Sequence, residues 1–462
     1  MQFGGKAITH SLRPTEQELW FLPLGGTGEI GMNMNLFGHH GQWLMVDCGV
    51  TFDEPLSADS DGAMGQKHDV VCADPSFISR QKEHLAGIVI THAHEDHIGA
   101  LPYLWRRFKC PVYTTAYTAE ILRRKLSSSN QGAAIPIIEV TTNETIDIGP
   151  FSVQWMAVTH SIPEPHALFI QTPAGNVFHT ADWKIDPKPV TGKPFNHNPF
   201  KLLRKQNVQA MVCDSTNALR SGNSVSEGEC FVGLSELISH ASGRVVVGCF
   251  SSNIARLITL AQIAKQTGRY LSLLGRSLQN TVGAAKATGH WPDDLPMVDP
   301  YHTGYLLPHE VLAVATGSQG EPRAALSNLA NDSYRLLSLD KGDLVIFSSI
   351  VIPGNERSIE KLISAFRARN IRTISADESA LPIHASGHPC RDELALMYDW
   401  VRPQIAVPTH GEQEHMLANA DIALQRHVPK TLVGKNGDVF VLSPNPKLLK
   451  NAVKTGRIPL QQ

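Results

Sequence analysis

Short apolar runs separated by Gly and Pro turns fill about the first two hundred residues. LWFLPLG (19–25), NMNLFG (33–38) and WLMVDCG (43–49) predict consecutive strands of a meander with Gly-rich links. AGIVITH (86–92) predicts a buried strand and AYTAEILRRKL (116–126) a helix. FSVQWMAVTH, HALFIQTPAG and NVFHTADW, from 151 to 183, return to strands joined by hairpin turns. Sheet-rich layers with some helices follow from this order, not a simple βαβ repeat.

The pattern changes from about residue 208. QAMVCDST predicts a strand, SEGECFVGLSELISHA a helix, RVVVGCF a strand, SSNIARLITLAQIAKQ a helix and YLSLLG a strand. This regular alternation predicts a parallel sheet covered by helices. VLAVATGSQG and DLVIFSSIVIPG extend it, each a strand running into Gly and Ser before a helix. Near 371–386 short strands and histidine-bearing loops return. An α/β domain inserted into a first, split domain is the simplest account. The implied boundaries are 1–207 and 373–450 for the split domain, 208–372 for the insert, and a basic tail at 451–462.

Composition narrows the class. At 462 residues, two domains are the default. With 42% hydrophobic and 18% charged residues, the chain fits a folded globular protein rather than a disordered one. No apolar run reaches the roughly 18 residues of a membrane span. The opening MQFGGKAITHSLRPTEQ lacks a signal-peptide pattern. Seven scattered cysteines without a CxxC predict buried free thiols in a reducing cytoplasm. A net charge of −2 gives no global attraction for polyanions, so nucleic-acid binding needs a local basic groove. The clusters at Arg106–Lys109, Arg123–Lys125 and Arg204–Lys205 read first as solvated helix faces.

The abundance of histidine, 21 residues, turns attention to chemistry. Gly26-Thr27-Gly28-Glu29-Ile30-Gly31 fits GxGxxG, but MNMNLFG follows where a dinucleotide site needs a helix. A turn that uses glycine's backbone freedom is the better reading. His92-Ala93-His94-Glu95-Asp96-His97 is different, because three histidines and a carboxylate at a strand end serve no packing purpose. In a tight turn His92 and His94 can point to one ion while Asp96 and His97 point to another. Imidazole and carboxylate ligands suit zinc, or manganese where oxygen ligands dominate. A second histidine pair lies in PIHASGHP (382–389), but its prolines and Gly387 argue against the helix that an HExxH site requires.

The HAHEDH run resembles the HxHxDH signature of the metallo-β-lactamase superfamily. The resemblance supplies a third histidine for the first metal at His160, a bridging acid at Asp182 and a last ligand at His410. Between Asp182 and His410 lie 227 residues, and an insert there resembles the β-CASP branch, whose members act on nucleic acids. Within that branch the chain is most similar to bacterial ribonuclease J. The likeness runs in order through GGTGEIGMNMN, THAHEDHIGALPYL, THSIPE, TADWKID, CDSTNALRSG, SEGE, FSSNIAR, GRSL, TGSQGEPRAAL, IPGNE, HASGH and PTHGE. It implies an α/β fold, a metallo-β-lactamase αββα sandwich carrying an inserted β-CASP α/β domain. Ala93 and Ala181-Asp182-Trp183 stand where the family often has Gly and Gly-Asp-Phe; these are neighbours of ligands, so metal binding is expected to survive. The family's usual C-terminal domain is expected to be absent, which leaves assembly habits that depend on it open.

The resemblance implies a ribonuclease with two divalent metal ions, Zn2+ with Mn2+ or Mg2+ as alternatives. His92, His94, Asp96, His97, His160, Asp182 and His410 would be its ligands. Asp96 would also orient the attacking oxygen, His388 would move a proton at the leaving oxygen, and Asp214 is a second catalytic candidate or simply a turn cap. His384 and Ser386 would hold an RNA phosphate in a loop whose N–H groups Gly387 exposes. Ser251, Asn253 and Ser318 read either as helix caps or as phosphate contacts; Arg256 and Arg276 are further phosphate candidates. The expected substrate is single-stranded RNA with a 5′-monophosphate, cut 5′→3′ with endonuclease activity also open, by a cytoplasmic homo-oligomer, a dimer. A β-CASP nuclease acting on DNA, a thioester or lactone hydrolase, and a non-enzymatic RNA scaffold are the rival readings.

Overall fold

A computed structural model describes residues 12–52, 70–128, 135–352 and 354–460. The stretch read for a targeting signal therefore lies largely outside the described residues. Two sheets stack face to face. The first orders its strands as Lys447–Leu449, Val439–Ser443, Leu19–Gly25, Met34–His39, Gln42–Val46, Leu85–Val89, Val112–Thr114 and Ile137–Glu139. The second runs Lys430–Thr431, Ile405–Thr409, Val208–Asp214, Gly175–His179, His166–Thr172, Phe151–Ala157 and Thr145–Ile148.

Side-chain alternation explains the layering. Along Leu19–Gly25, Leu19 and Phe21 point into the core between the sheets, with Val153, Leu168, Val212 and Val407 from the other side. Trp20, Leu22 and Leu24 point the opposite way, into a second core with Leu101 and Leu104 of the helix Leu101–Phe108. The outer face of the second sheet, Phe169, Phe178 and Met211, packs on Leu394, Met397 and Tyr398 of the helix Arg391–Val401. Each strand is thus apolar on both faces, which is why these segments read as continuous apolar runs. The result is an αββα sandwich.

The insert is a six-stranded sheet in which every pairing is parallel, as the alternating pattern predicts. Val311–Ala315, Val245–Gly248 and Leu344–Phe347 lie at its centre and Arg372–Ser375 at one edge. One expected boundary shifts. Val208–Asp214 was assigned to the insert, but it pairs with Gly175–His179 and Ile405–Thr409 in the second sandwich sheet. An apolar parallel strand buried on both faces has the same sequence signature in either sheet. The boundary at 372 also moves, because Arg372–Ser375 completes the insert's sheet.

Residues from 451 on do not form a bare tail: Arg457–Pro459 pairs with Val70–Ala73, and Arg457 is 2.7 Å from Glu29. The GxGxxG stretch is a turn. Gly26, Gly28 and Gly31 all have positive φ and the strand Met34–His39 follows. All seven cysteines are buried and unpaired. Among the described residues no helix is long and apolar enough to cross a membrane.

Candidate active site

Every expected ligand lies at or just beyond the carboxyl end of a strand. Leu85–Val89 runs into the turn bearing His92 and His94, and the short helix Glu95–Ile98 carries Asp96 and His97. Asp182 follows Gly175–His179 and His410 follows Ile405–Thr409. This turn needs room. A side chain at Gly49 would meet the carbonyl of Asp96 at 1.7 Å, so only glycine lets the backbones pass. Ala181 and His410 hold φ of 50° and 49°, a conformation that costs a non-glycine residue of order 1–2 kcal/mol.

Donor atoms converge in two sets. His92 Nε2 and His160 Nε2 lie 3.1 and 3.0 Å from His94 Nδ1, and 3.8 and 3.7 Å from Asp182 Oδ2. The same oxygen is 3.2 Å from His97 Nε2, and Asp96 Oδ2 lies 3.4 Å from His97 Nε2 and 3.3 Å from His410 Nε2. Ligands about 2.0–2.1 Å from a tetrahedral ion stand about 3.4 Å apart, so these spacings suit a divalent metal such as zinc. His410 Nε2 is buried with no well-aligned hydrogen bond, Asp96 Oδ2 at 3.3 Å being only its ion-pair neighbour, and a metal would satisfy it. Asp182 belongs to both sets.

The other ring nitrogens are held from behind, which fixes the tautomers. His97 Nδ1 donates to Asp47 Oδ2 at 2.7 Å, and His160 Nδ1 donates to the carbonyl of Gly387 at 2.6 Å. His92 Nδ1 is 3.0 Å from Thr91 Oγ1, whose own N–H donates to Asp47. Burial pushes His92 and His160 well below the ordinary imidazole range and His94 down to about 4. For His97 and His410 burial also opposes the cation, but the facing carboxylates, Asp182 foremost, outweigh it and raise both. A cluster that seeks cations among its carboxylates is a divalent-metal site in electrostatic terms.

The PIHASGHP loop forms the facing wall. His388 Nδ1 lies 2.8 Å from Asp214 Oδ2, while Asp214 Oδ1 accepts from the N–H and hydroxyl of Thr216 at 2.9 and 2.7 Å. Asp214 is therefore both turn cap and histidine partner. Burial works against a charged His388, but Asp214 and Asp182 outweigh it and raise its pKa. His384 goes the other way: burial and the adjacent Arg256 push it down to about 3, leaving a neutral ring. Asn217 holds the loop, its Nδ2 donating to Ser386 Oγ at 2.8 Å and to the His388 carbonyl at 3.1 Å.

Gly387 does more than expose an N–H. A side chain there would meet His160 Cε1 at 2.5 Å, so glycine is what lets the loop touch His160. Ser251, Asn253 and Ser318 gather at the carboxyl ends of the neighbouring strands Val245–Gly248 and Val311–Ala315. Asn253 is a helix cap, its side chain accepting from the Arg256 N–H at 2.9 Å, and Ser318 is buried. Arg256 is not a phosphate contact: it is fully buried in an ion pair with Glu227. The motif arginine that looked like an RNA ligand is structural because its helix face turns inward. The arginine clusters are solvated, with Arg123, Arg124 and Lys125 paired to Glu139, Glu120 and Glu95.

Asp47, Thr91 and Asn217 were missed as site residues, although each lies inside a motif or strand end already singled out. The fold and the shared-carboxylate ligand sets define a metal-binding hydrolase of the metallo-β-lactamase superfamily that carries a β-CASP insert. Family models agree: "Metallo-beta-lactamase superfamily" matches 28–197, "Ribonuclease J, beta-CASP domain" 242–366 and "Zn-dependent metallo-hydrolase RNA specificity domain" 381–428. A ribonuclease J from Sinorhizobium meliloti is 43% identical over 98% of this chain and 79% of its own length. Another from Mycolicibacterium smegmatis is 36% identical over 94% and 76%. The chain belongs to the ribonuclease J family. A crystal structure of a protein of unknown function from Enterococcus faecalis V583 matches with a TM-score of 0.63 at 16% identity. That match covers 92% of this chain and 100% of the other, and shows the fold alone.

Proposed function

We propose that this protein hydrolyses phosphodiester bonds of single-stranded RNA, processing it 5′→3′ from a 5′-monophosphate, with two Zn2+ ions as cofactors. The observation that carries the reading is the convergence on Asp182 of two ligand sets, faced by the His388–Asp214 pair 2.8 Å apart. His92, His94, His160 and Asp182 would hold one ion, and Asp96, His97, Asp182 and His410 the other. Bound there, the metals supply Lewis acidity to phosphate oxygens and lower the pKa of water.

The protein's own groups supply the rest. Asp96, its side chain 30% exposed and, with His94, one of the two ligands that are only half-buried, faces the attacking side and orients the nucleophile. Asp214 fixes the His388 ring through Nδ1, which leaves Nε2 to deliver a proton to the leaving oxygen. His384, as a neutral ring, and Ser386 hold phosphate by donating hydrogen bonds. Ser251 and the N–H groups beside it at the carboxyl edge of the insert's sheet extend that hold along the strand. An RNA track in a cleft explains RNA binding by a chain of net charge −2. The match of residues 381–428 to an RNA specificity domain supports RNA over DNA. Seven unpaired thiols support a cytoplasmic location, and the family resemblance supports a homodimer.

The test compares His388→Ala and Asp96→Ala with wild type on 5′-monophosphorylated RNA, the matched DNA and 5′-triphosphorylated RNA, with metal content measured in parallel. Each variant is expected to lose at least about 100-fold in kcat. Full activity in either one overturns the mechanism, and equal cleavage of DNA overturns the substrate.

A further inference from the structure

Glu227 of SEGE and Arg256 of FSSNIAR take no part in the mechanism, yet they meet in the interior. Arg256 has no exposed surface, and its donors fan out in three directions. Nε and Nη2 reach Glu227 Oε1 and Oε2 at 2.8 and 3.2 Å. Nη1 donates to the carbonyl of Ile383 at 2.8 Å and to the carbonyl and hydroxyl oxygens of Ser348, the carbonyl at 3.1 Å. Ser348 Oγ itself donates to the Ile383 carbonyl at 2.6 Å. Ile383 immediately precedes His384, so a charged group in the insert grips the residue that leads into the HASGH loop.

The grip is anchored on the metal side as well. The Glu227 N–H donates to Asp186 Oδ2 at 2.9 Å, and Asp186 pairs with Lys184 at 3.1 Å, both in the segment that follows Asp182. A continuous buried polar chain therefore runs from the bridging carboxylate's loop through Glu227 and Arg256 to the loop that faces it. Such a pair is a poor device for stability, since burying two charges costs about what their attraction returns, and apolar replacements of equal size often match it. What it supplies is direction: a guanidinium presents its donors in one rigid fork.

We propose that Arg256, held by Glu227, is a positioning residue that sets the Ile383–His388 loop against the metal site and so fixes where His384, Ser386 and His388 meet the scissile phosphate. The inference rests on the role given above to that loop. It predicts that loosening the grip reduces catalysis even when zinc is supplied in excess to keep both ligand sets filled, since misplacement by about 1 Å can cost about 100-fold.

The test is the paired variant Arg256→Met/Glu227→Gln, which removes both charges and leaves neither uncompensated, made in the full chain with and without His388→Ala. The expected result, in zinc enough to fill both sites, is wild-type metal content, a fall of about 100-fold in kcat on 5′-monophosphorylated RNA, and non-additivity. In the His388→Ala background the pair should cost no more than about tenfold, the remainder being the His384 and Ser386 contacts, because a misplaced loop and a missing imidazole forfeit the same proton transfer. A purely structural role would give losses that multiply, and that outcome overturns the proposal, as does a kcat within threefold of wild type. If the paired variant does not fold, Ser348→Ala decides, with about a tenfold fall in kcat expected from one lost loop contact and an unchanged kcat overturning the idea. Full activity of His388→Ala alone overturns instead the functional reading beneath it.

Discussion

Gly387 shows how much one residue can carry. Its carbonyl receives the His160 N–H, and its missing side chain is what allows that contact. Gly387→Ala should therefore turn His160 away from the first ligand set and weaken zinc there by about 10–100-fold, measured by competition with a chromophoric chelator while circular dichroism stays unchanged. The family resemblance implies a phosphate loop at this position; that the same glycine orients His160 depends on a residue far off along the chain. HAHEDH was legible because its donors lie within six consecutive residues just beyond a strand end. Asp47 was not, because an aspartate ending an apolar strand has no distinguishing mark until His97 Nδ1 is found 2.7 Å away.

Among the elements, the connector into the insert is held by buried charged side chains. Glu393 accepts from the N–H groups of Ser224, Ile185 and Cys390, each at 2.8 Å, and Lys184 donates to the Val225 carbonyl at 3.0 Å. Asp186 takes the Ser226 hydroxyl, the Glu227 N–H and the Lys184 ammonium. Burial opposes its charge, but Lys184 and these donors outweigh it and hold its pKa below the ordinary carboxylate value. A carboxyl group depressed on folding adds stability that is complete above the unfolded-state value, near 4, and fades as pH falls through the folded one. Asp186→Asn, which leaves Lys184 buried without its partner, should cost about 3–5 kcal/mol at pH 7. The gap from wild type should narrow towards pH 3; urea unfolding at both pH values checks it. Strand order here was hard to read from sequence. Val208–Asp214 looked like the opening strand of the insert, since hydrophobicity tells that a parallel strand is buried but not which neighbours bury it.

For the molecule as a whole, five histidines and two aspartates meet at one edge of a sandwich whose interior is apolar. With nitrogens such as His410 Nε2 buried without a well-aligned hydrogen bond, an ion held there would add to the fold's free energy. Removing metal with a chelator should lower the thermal midpoint, and zinc at about 1,000 times its Kd should restore about 4 kcal/mol. Calorimetry with and without added zinc checks this, and an unchanged midpoint would show that the ligands are satisfied without metal.

The sequence by itself determined the strands, the alternation that marks the insert, the HAHEDH turn and, through ordered motifs, the family. These are carried by residues close in sequence or by their order. Only the tertiary structure decided that Arg256 is an internal grip and not a phosphate contact, that Gly387 orients His160, and that Val208–Asp214 belongs to the sandwich. The reason is physical. Periodicity reports which face of an element is buried, whereas a side chain's partner is set by how separate elements pack, and the same arginine or glycine serves either role until that packing is known.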